Sequence, residues 1–215
     1  VSLLGSVKNM KLVVASTNVH KIREYRSMLK KVPGLDLFSL LDYPGYLPPA
    51  EDGDSFEANA AIKAERAAKE LGVWALADDS GLVVPALGGA PGIHSARYAG
   101  PTATDRENRR KLLLEMRDLT DPERQAYFEC CIVLCSPEGI MKCVRGCCEG
   151  FILHEERGRY GFGYDPIFVK HEYRKTFAEL DEDVKNRISH RRKAIDKILL
   201  YLEALAQQPP SECTT

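Results

Sequence analysis

The chain has 215 residues, enough for one well-buried core and too few for two ordinary domains, so one domain in two lobes is expected over residues 1–215, with its core at about 10–206. Lysine and arginine number 30 against 31 for aspartate and glutamate, so no global field favours nucleic acid or an anionic membrane, and any attraction for phosphate must be local. No apolar run approaches the ~20 residues that span a bilayer and the start makes a poor secretory segment, so a cytosolic (cytoplasmic) protein is expected, with residues 1–9 read as a leader remnant and 207–215 as a polar tail.

Residues 11–15 form a β-branched run that Asn18 breaks, and Ile22, Tyr25, Met28, Leu29 and Val32 then recur near helical spacing. The opening is strand, loop, helix. Residues 35–40 read as a second strand, after which prolines and glycine at 44–49 force an irregular connection that delivers Glu51. Asp54 with Glu57 predicts a capped helix running to Leu71-Gly72, carrying Asn59 and Lys63 near its first turns. Residues 73–77 and 82–84 are apolar β-type runs separated by Asp78-Asp79-Ser80-Gly81. A glycine-rich loop at 88–100 leads to a helix capped by Thr104 and Glu107, with Leu112, Leu113 and Met116 on its apolar stripe. Residues 125–135 and 140–148, joined at Pro137-Glu138-Gly139, predict a hairpin, with another strand near 151–154. A final helix is expected from about His190, capped by Ser189, with Ile195, Ile198, Leu199, Leu202 and Leu205 on one face. This order of elements predicts an α/β fold with a mixed sheet flanked by helices.

Six of the seven cysteines fall at 130–148. Cys131 with Cys135, and Cys143 with Cys147, have the spacing of zinc-ligand pairs, but no histidine joins them and the gap between pairs is short. In a reducing compartment the better account is reduced cysteines packed as small apolar side chains on a buried hairpin, without a structural metal.

Four segments offer chemistry. Asn18 and Lys21 sit where a strand feeds a helix, so backbone amides and an ammonium can converge on phosphate oxygens; the ordinary alternative is a capped turn with a solvated lysine. There is no Walker loop. Glu51, Asp78 and Asp79 supply carboxylates suited to Mg²⁺, with Asp79 placed to take a proton from a polarised water; the alternative for residues 78–81 is a type I turn, weakened by flanking runs that read as buried on both faces. Phe162-Gly163-Tyr164-Asp165-Pro166 offers aromatic faces to a base, or else forms an aromatic plug. Ser189-His190-Arg191 is either a capped helix start or a pair of side chains aimed into a base pocket.

Taken in order, these pieces resemble the inosine/xanthosine triphosphate pyrophosphatase family from about Lys11 to Leu205. The matching residues are Ser16-Thr17-Asn18 with Lys21, Glu51-Asp52-Gly53, Phe56-Glu57-Ala58-Asn59-Ala60 with Lys63-Ala64, 77–82, 87–93 with Ser95-Ala96-Arg97-Tyr98, 162–166 and 188–191. The resemblance implies that Ser16, Asn18 and Lys21 bind the triphosphate, and Thr17, Val19 and His20 of the same loop count among the substrate contacts. It implies further that Glu51 and Asp79 hold Mg²⁺, that Asp79 is the catalytic acid/base, and that Ser80, Phe162, Gly163, Tyr164, Asp165, Lys185, His190 and Arg191 contact substrate, the last two near the base. The family fold is an elongated mixed α/β structure with its site in a cleft between lobes, generally a homodimer. His20 departs from the glycine common there, and the cysteine-rich hairpin is this chain's own. The implied activity is hydrolysis of ITP, dITP or XTP to the monophosphate and pyrophosphate, with donation by His190 and Arg191 to a 6-keto oxygen as the physical basis for rejecting ATP. A nucleotide sensor and a single-stranded nucleic-acid binder are the alternatives; the trio Glu51, Asp79 and Lys21 disfavours the first and the missing basic track disfavours the second.

Overall fold

The computed structural model describes residues 9–207, so the readings made for residues 1–8 and 208–215 lie outside the described residues. One six-stranded sheet has the order β2-β1-β3-β4-β5-β6. β1 (Met10–Val14) pairs in parallel with β2 (Leu35–Ser39) and with β3 (Trp74–Val83). Parallel neighbours need crossovers, supplied here by α1 (Val19–Leu29) and α2 (Phe56–Leu71). The sheet then turns antiparallel through β4 (Gln125–Ser136), β5 (Gly139–Ile152) and β6 (Phe168–Lys170). This is the mixed α/β sheet that the element order predicts.

Alternation along the strands assigns the two faces. Leu12, Val14, Leu76, Ile132 and Leu134 pack with Tyr25, Met28 and Leu29 of α1, with Ile195 of α5 (His190–Asp196) and with Leu202 of α6 (Leu199–Ala206). Val13, Ala75, Ala77 and Val133 pack instead on Ala60, Ala64, Ala67 and Ala68, a methyl-only helix face that lets α2 lie close to the sheet. Farther along the long strands, Leu82, Phe128 and Ile152 form a third cluster with Leu112 of α3 (Asp105–Glu115) and with Phe168 and Phe177.

Several boundaries differ from the sequence expectation. Residues 78–81 are not a loop between two strands: β3 runs through them, paired to β4 from Asp78↔Ile132 to Gly81↔Glu129. The ladder persists because the buried carboxylates find cations and an amide, described below. Ser55, not Asp54, caps α2, its hydroxyl accepting from Ala58 N at 3.2 Å. The strand near 151–154 is the end of β5. The last helix is two, since the amides of Lys197 and Ile198 bond three residues back to Ala194 and Ile195, a tightening that keeps both Ile195 and Ile198 at 0% exposure. α4 (Glu182–Ile188) was not anticipated, because seven residues are too few to display a period.

The hairpin also differs. Cys130, Cys131, Cys135 and Cys148 are buried as expected, but Cys143 and Cys147 are exposed. Both lie on the β5 face that α2, centred over β3 and β4, leaves open. Burial pushes the Cys131 and Cys135 thiols up to about 12, so in the reduced, metal-free protein a neutral alkylating reagent is expected to label Cys143 and Cys147 before the other four hairpin cysteines. Peptide mass spectrometry checks this; labelling of Cys130 or Cys135 at the rate of Cys147 would show a hairpin looser than this packing.

One glycine positions the site. A Cβ at Gly146 would strike the backbone of His190 and Ala194, so α5 lies directly on β5, and its first residues are driven inside: His190 is 5% and Arg191 1% exposed.

Candidate active site

A cavity of about 300 Å³ collects most of the residues singled out in the sequence. Ser16, Thr17, Asn18 and Lys21 enter from the β1–α1 loop and the first turn of α1; Glu51, Asp79 and Ser80 from the second crossover and β3; Phe162, Gly163, Tyr164, Asp165, Lys185, His190 and Arg191 from the chain after β5. Val19 and His20 do not line it. Val19 is 59% exposed, and His20 stacks on Phe162 with centroids 5.1 Å apart and planes at 16°.

The β1–α1 loop is ordered by short polar side chains. Asn18 caps α1, Oδ1 accepting from His20 N at 2.9 Å and Lys21 N at 3.2 Å, while Ser16 Oγ accepts from Asn18 N at 3.1 Å. The positive end of α1 therefore faces the cavity beside the Lys21 ammonium. The segment after Gly161 is equally pinned: Gly163 N donates to Asp105 at 2.7 Å, Arg109 donates to Gly163 O at 2.7 Å, and the Tyr164 hydroxyl donates to Ser95 O at 2.9 Å. Tyr164 is thereby an anchor with its ring buried, and Phe162 lines the cavity with His20 stacked on it and Lys185 Nζ 4.6 Å from its ring centroid.

Through this lining runs an alternating chain of charge, Lys21, Asp78, Arg191, Glu24, Lys185, Asp165, of which Asp78 and Glu24 lie behind the cavity wall. Asp78 Oδ2 accepts from Lys21 Nζ at 2.9 Å and from Arg191 Nη2 at 3.0 Å; Glu24 pairs with Arg191 and, at 3.0 Å, with Lys185; Lys185 reaches Asp165 at 2.6 Å. Burial opposes the charged form of Asp78, yet Arg191, Lys21 and Lys63 together hold its carboxyl well below the usual 3.8. Glu24 is likewise buried and held below 4.5 by Arg191 and Lys185. Burial raises Asp165 above 3.8 in spite of Lys185. Such pairs are strongly coupled, and removing one member strands the others.

Arg191 stands at the middle of this network. Its Nη1 binds Glu24, and its Nη2 binds both Asp78, at 3.0 Å, and Ser80 Oγ, at 2.9 Å, so three of its four terminal N–H groups have fixed partners while the residue still lines the cavity. His190 is different. It stacks on Phe128 at 4.8 Å, and burial, with Arg191 and Lys185 nearby, depresses its pKa well below 6.5. A neutral ring that keeps one donor faces the cavity.

The acidic pair is organised by α2. Asn59 Nδ2 donates to Asp79 Oδ2 at 3.0 Å, and Ser80 N donates to Oδ1 at 3.0 Å. One turn later Lys63 Nζ donates to Glu51 Oε1 at 3.1 Å and to Asp78 O at 2.8 Å, and stands 3.9 Å from Asp79 Oδ1. Glu51 and Asp79 thus converge on one ammonium, and burial raises the Asp79 pKa above 3.8. Two hard carboxylates facing a cavity with room for phosphate oxygens fit the donor set of a hard divalent cation.

The pKa shifts set an acid limit. The unfolded chain protonates His190 near 6.5 while the folded chain resists, so stability falls as pH drops below that value. Asp78 and Glu24, depressed from 3.8 and 4.5, add a second loss as pH falls through their lower folded values. Asp79 and Asp165, both raised, act oppositely in that acid range. Urea midpoints measured from pH 8 to 5 are expected to fall, and His190→Gln is expected to flatten the slope; an unchanged slope would put another group in control.

Sequence reading missed Glu24. Its signal was a lone carboxylate four residues before Met28, on the apolar stripe of α1, where an unpaired charge is costly. Asn59 and Lys63 were placed on their helix without a role, and their i, i+4 spacing is what sets both over Asp79.

The profile of the Ham1 family matches residues 12–201. A dITP/XTP pyrophosphatase of Protochlamydia amoebophila is 59% identical over 197 residues, covering 91% of this chain and 99% of that protein. One of Chlamydia abortus is 52% identical over 200 residues, covering 93% and 97%. Among solved structures, the Staphylococcus aureus Ham1 protein superposes with a TM-score of 0.80 at 40% identity, covering 91% of this chain and 99% of that one, and a HAM1 protein of Coxiella burnetii gives 0.81 at 40% with the same coverage. With the profile spanning nearly all the described residues and the same sheet recurring in its solved members, the chain belongs to the Ham1 family.

Proposed function

We infer that the protein hydrolyses deaminated purine nucleoside triphosphates, of the dITP, ITP and XTP type, to the monophosphate and pyrophosphate. The observation that carries this reading is the convergence in one cavity of Asp79, fixed by Asn59, with Glu51, Lys63 and the amide-and-lysine end of α1. The names of the chlamydial relatives support the same substrate class.

In this reading the triphosphate lies along Ser16, Thr17, Asn18 and Lys21, where amides and ammonium neutralise its charge. Lys21 exchanges Asp78 for a phosphate oxygen, and Asp78 keeps Arg191. Asp79 takes a proton from the attacking water, and the pyrophosphate departs with charge balanced by Lys21 and Lys63. A divalent cation, for which we favour Mg²⁺, would be held by Glu51 and Asp79 and would neutralise phosphate charge and polarise the water. The base lies toward Phe162, Lys185 and His190. The His190 ring donor suits a 6-keto oxygen and opposes a 6-amino group. Arg191 acts on Ser80 and Asp78 as a positioning residue. We further propose a single catalytic domain acting as a homodimer in the cytoplasm; sedimentation at micromolar concentration tests the assembly.

Equal amounts of monophosphate and pyrophosphate from dITP or XTP would support the reading, whereas tight binding without turnover would favour a sensor. Excess chelator is expected to abolish turnover reversibly, because three phosphates and two carboxylates do not share a site unneutralised. Undiminished turnover in chelator would remove the metal from this account. Among the described residues no helix is long and apolar enough to cross a membrane.

A further inference from the structure

We propose that Cys131, Cys143 and Glu57 form a second metal site, selective for a thiophilic divalent cation such as zinc, on the face of the sheet that also carries Asp79. The pairing differs from the zinc-like spacings visible in the sequence, because Cys131 finds its partner across the hairpin. In the β4–β5 register Cys131 lies opposite Arg145 and Val133 opposite Cys143, so the two cysteines are diagonal neighbours on one face. Their sulfurs are 3.5 Å apart, and all three ligand atoms lie within 4.8 Å of one another. Tetrahedral zinc with Zn–S bonds of ~2.3 Å sets two sulfurs about 3.8 Å apart, near the observed separation and far from the ~2.05 Å of a disulfide.

Cys131 is held rigidly in the core, while Cys143 and Glu57 are exposed and leave a path for the ion. Glu57 at present accepts from Arg145 at 2.8 Å; that arginine is about half exposed and also lies 3.5 Å from Glu129, a second partner to which it can turn. On binding, the two thiols lose their protons to the buffer, the cation takes two thiolates and one carboxylate oxygen, and water completes the tetrahedron. Two sulfur donors distinguish the site from the all-oxygen set of Glu51 and Asp79. A bound ion would clip the first turn of α2 to the hairpin, two residues before Asn59 and directly across the ladder from Asp79.

The test uses the full chain, reduced and stripped by chelator, titrated with Co²⁺. One equivalent is expected to produce thiolate-to-cobalt charge-transfer absorption that Zn²⁺ then abolishes; cobalt on oxygen ligands gives none. Cys131→Ser and Cys143→Ser should lose the absorption, Glu57→Gln should weaken binding, and Cys147→Ser should leave it unchanged. Cys143 is exposed, so its serine variant is expected to fold, checked by circular dichroism. Zinc should also protect Cys143 from alkylation and spare Cys147. No sulfur-to-cobalt absorption in the wild type, absorption that survives Cys143→Ser, or equal protection of both cysteines would overturn the proposal.

Discussion

Asp79→Asn is expected to lower turnover of dITP or XTP by ~10²-fold or more, with the fold retained. The substitution removes the proton acceptor and one anion while keeping size. It also disturbs the two hydrogen bonds that hold the carboxylate in place. Both Asp79 oxygens accept, from Ser80 N and from Asn59 Nδ2, and Asn59 Oδ1 already accepts from Gly53 N at 2.9 Å, which discourages a compensating flip. An asparagine therefore sets one donor against another, at a cost of ~1–3 kcal/mol in stability. Turnover measured beside a thermal melt separates the two effects: a modest drop in melting temperature with a large loss of turnover is expected. Near-normal turnover in the folded variant would remove Asp79 as the base.

Glu24→Ala is expected to be the most destabilising single change near the site, by ~3–5 kcal/mol, although Glu24 is not among the residues lining the cavity. It joins Arg191 of α5 to Lys185 of α4, and its loss leaves two buried cations sharing the remaining Asp78 and Asp165. Urea unfolding measures this directly. A loss under ~1 kcal/mol would mean that water or rearranged partners replace the carboxylate, and that the alternating chain is weaker than its geometry indicates.

Elements with a strong local signal were readable in the sequence. The α1 stripe Ile22, Tyr25, Met28 and Leu29 and the Thr104–Glu107 cap took the expected form, and so did the hairpin, whose turn is Pro137 and Glu138 alone because Gly139 already pairs with Ser136. What failed depended on partners distant in sequence. Asp78 to Gly81 looks like a turn until β4 is beside it and Lys21, Arg191 and Asn59 arrive from three other elements. The exposure of Cys143 and Cys147 depends on how far α2 extends across the sheet. At the site, the ordered motifs identified the lining, but the partners of its side chains required coordinates: Arg191 is tied to Glu24 and Asp78, and the Tyr164 hydroxyl to Ser95 O.

The central claim is that this cavity cleaves the triphosphates of deaminated purines and releases pyrophosphate. Phosphorus NMR of the products, with dITP and dATP compared at equal concentration and Mg²⁺ present, tests it most directly. Pyrophosphate and monophosphate alone are expected from dITP, with kcat/KM exceeding that for dATP by ~10²-fold or more, the scale on which mismatched buried donors discriminate. Release of orthophosphate, or equal turnover of dATP, would contradict the account.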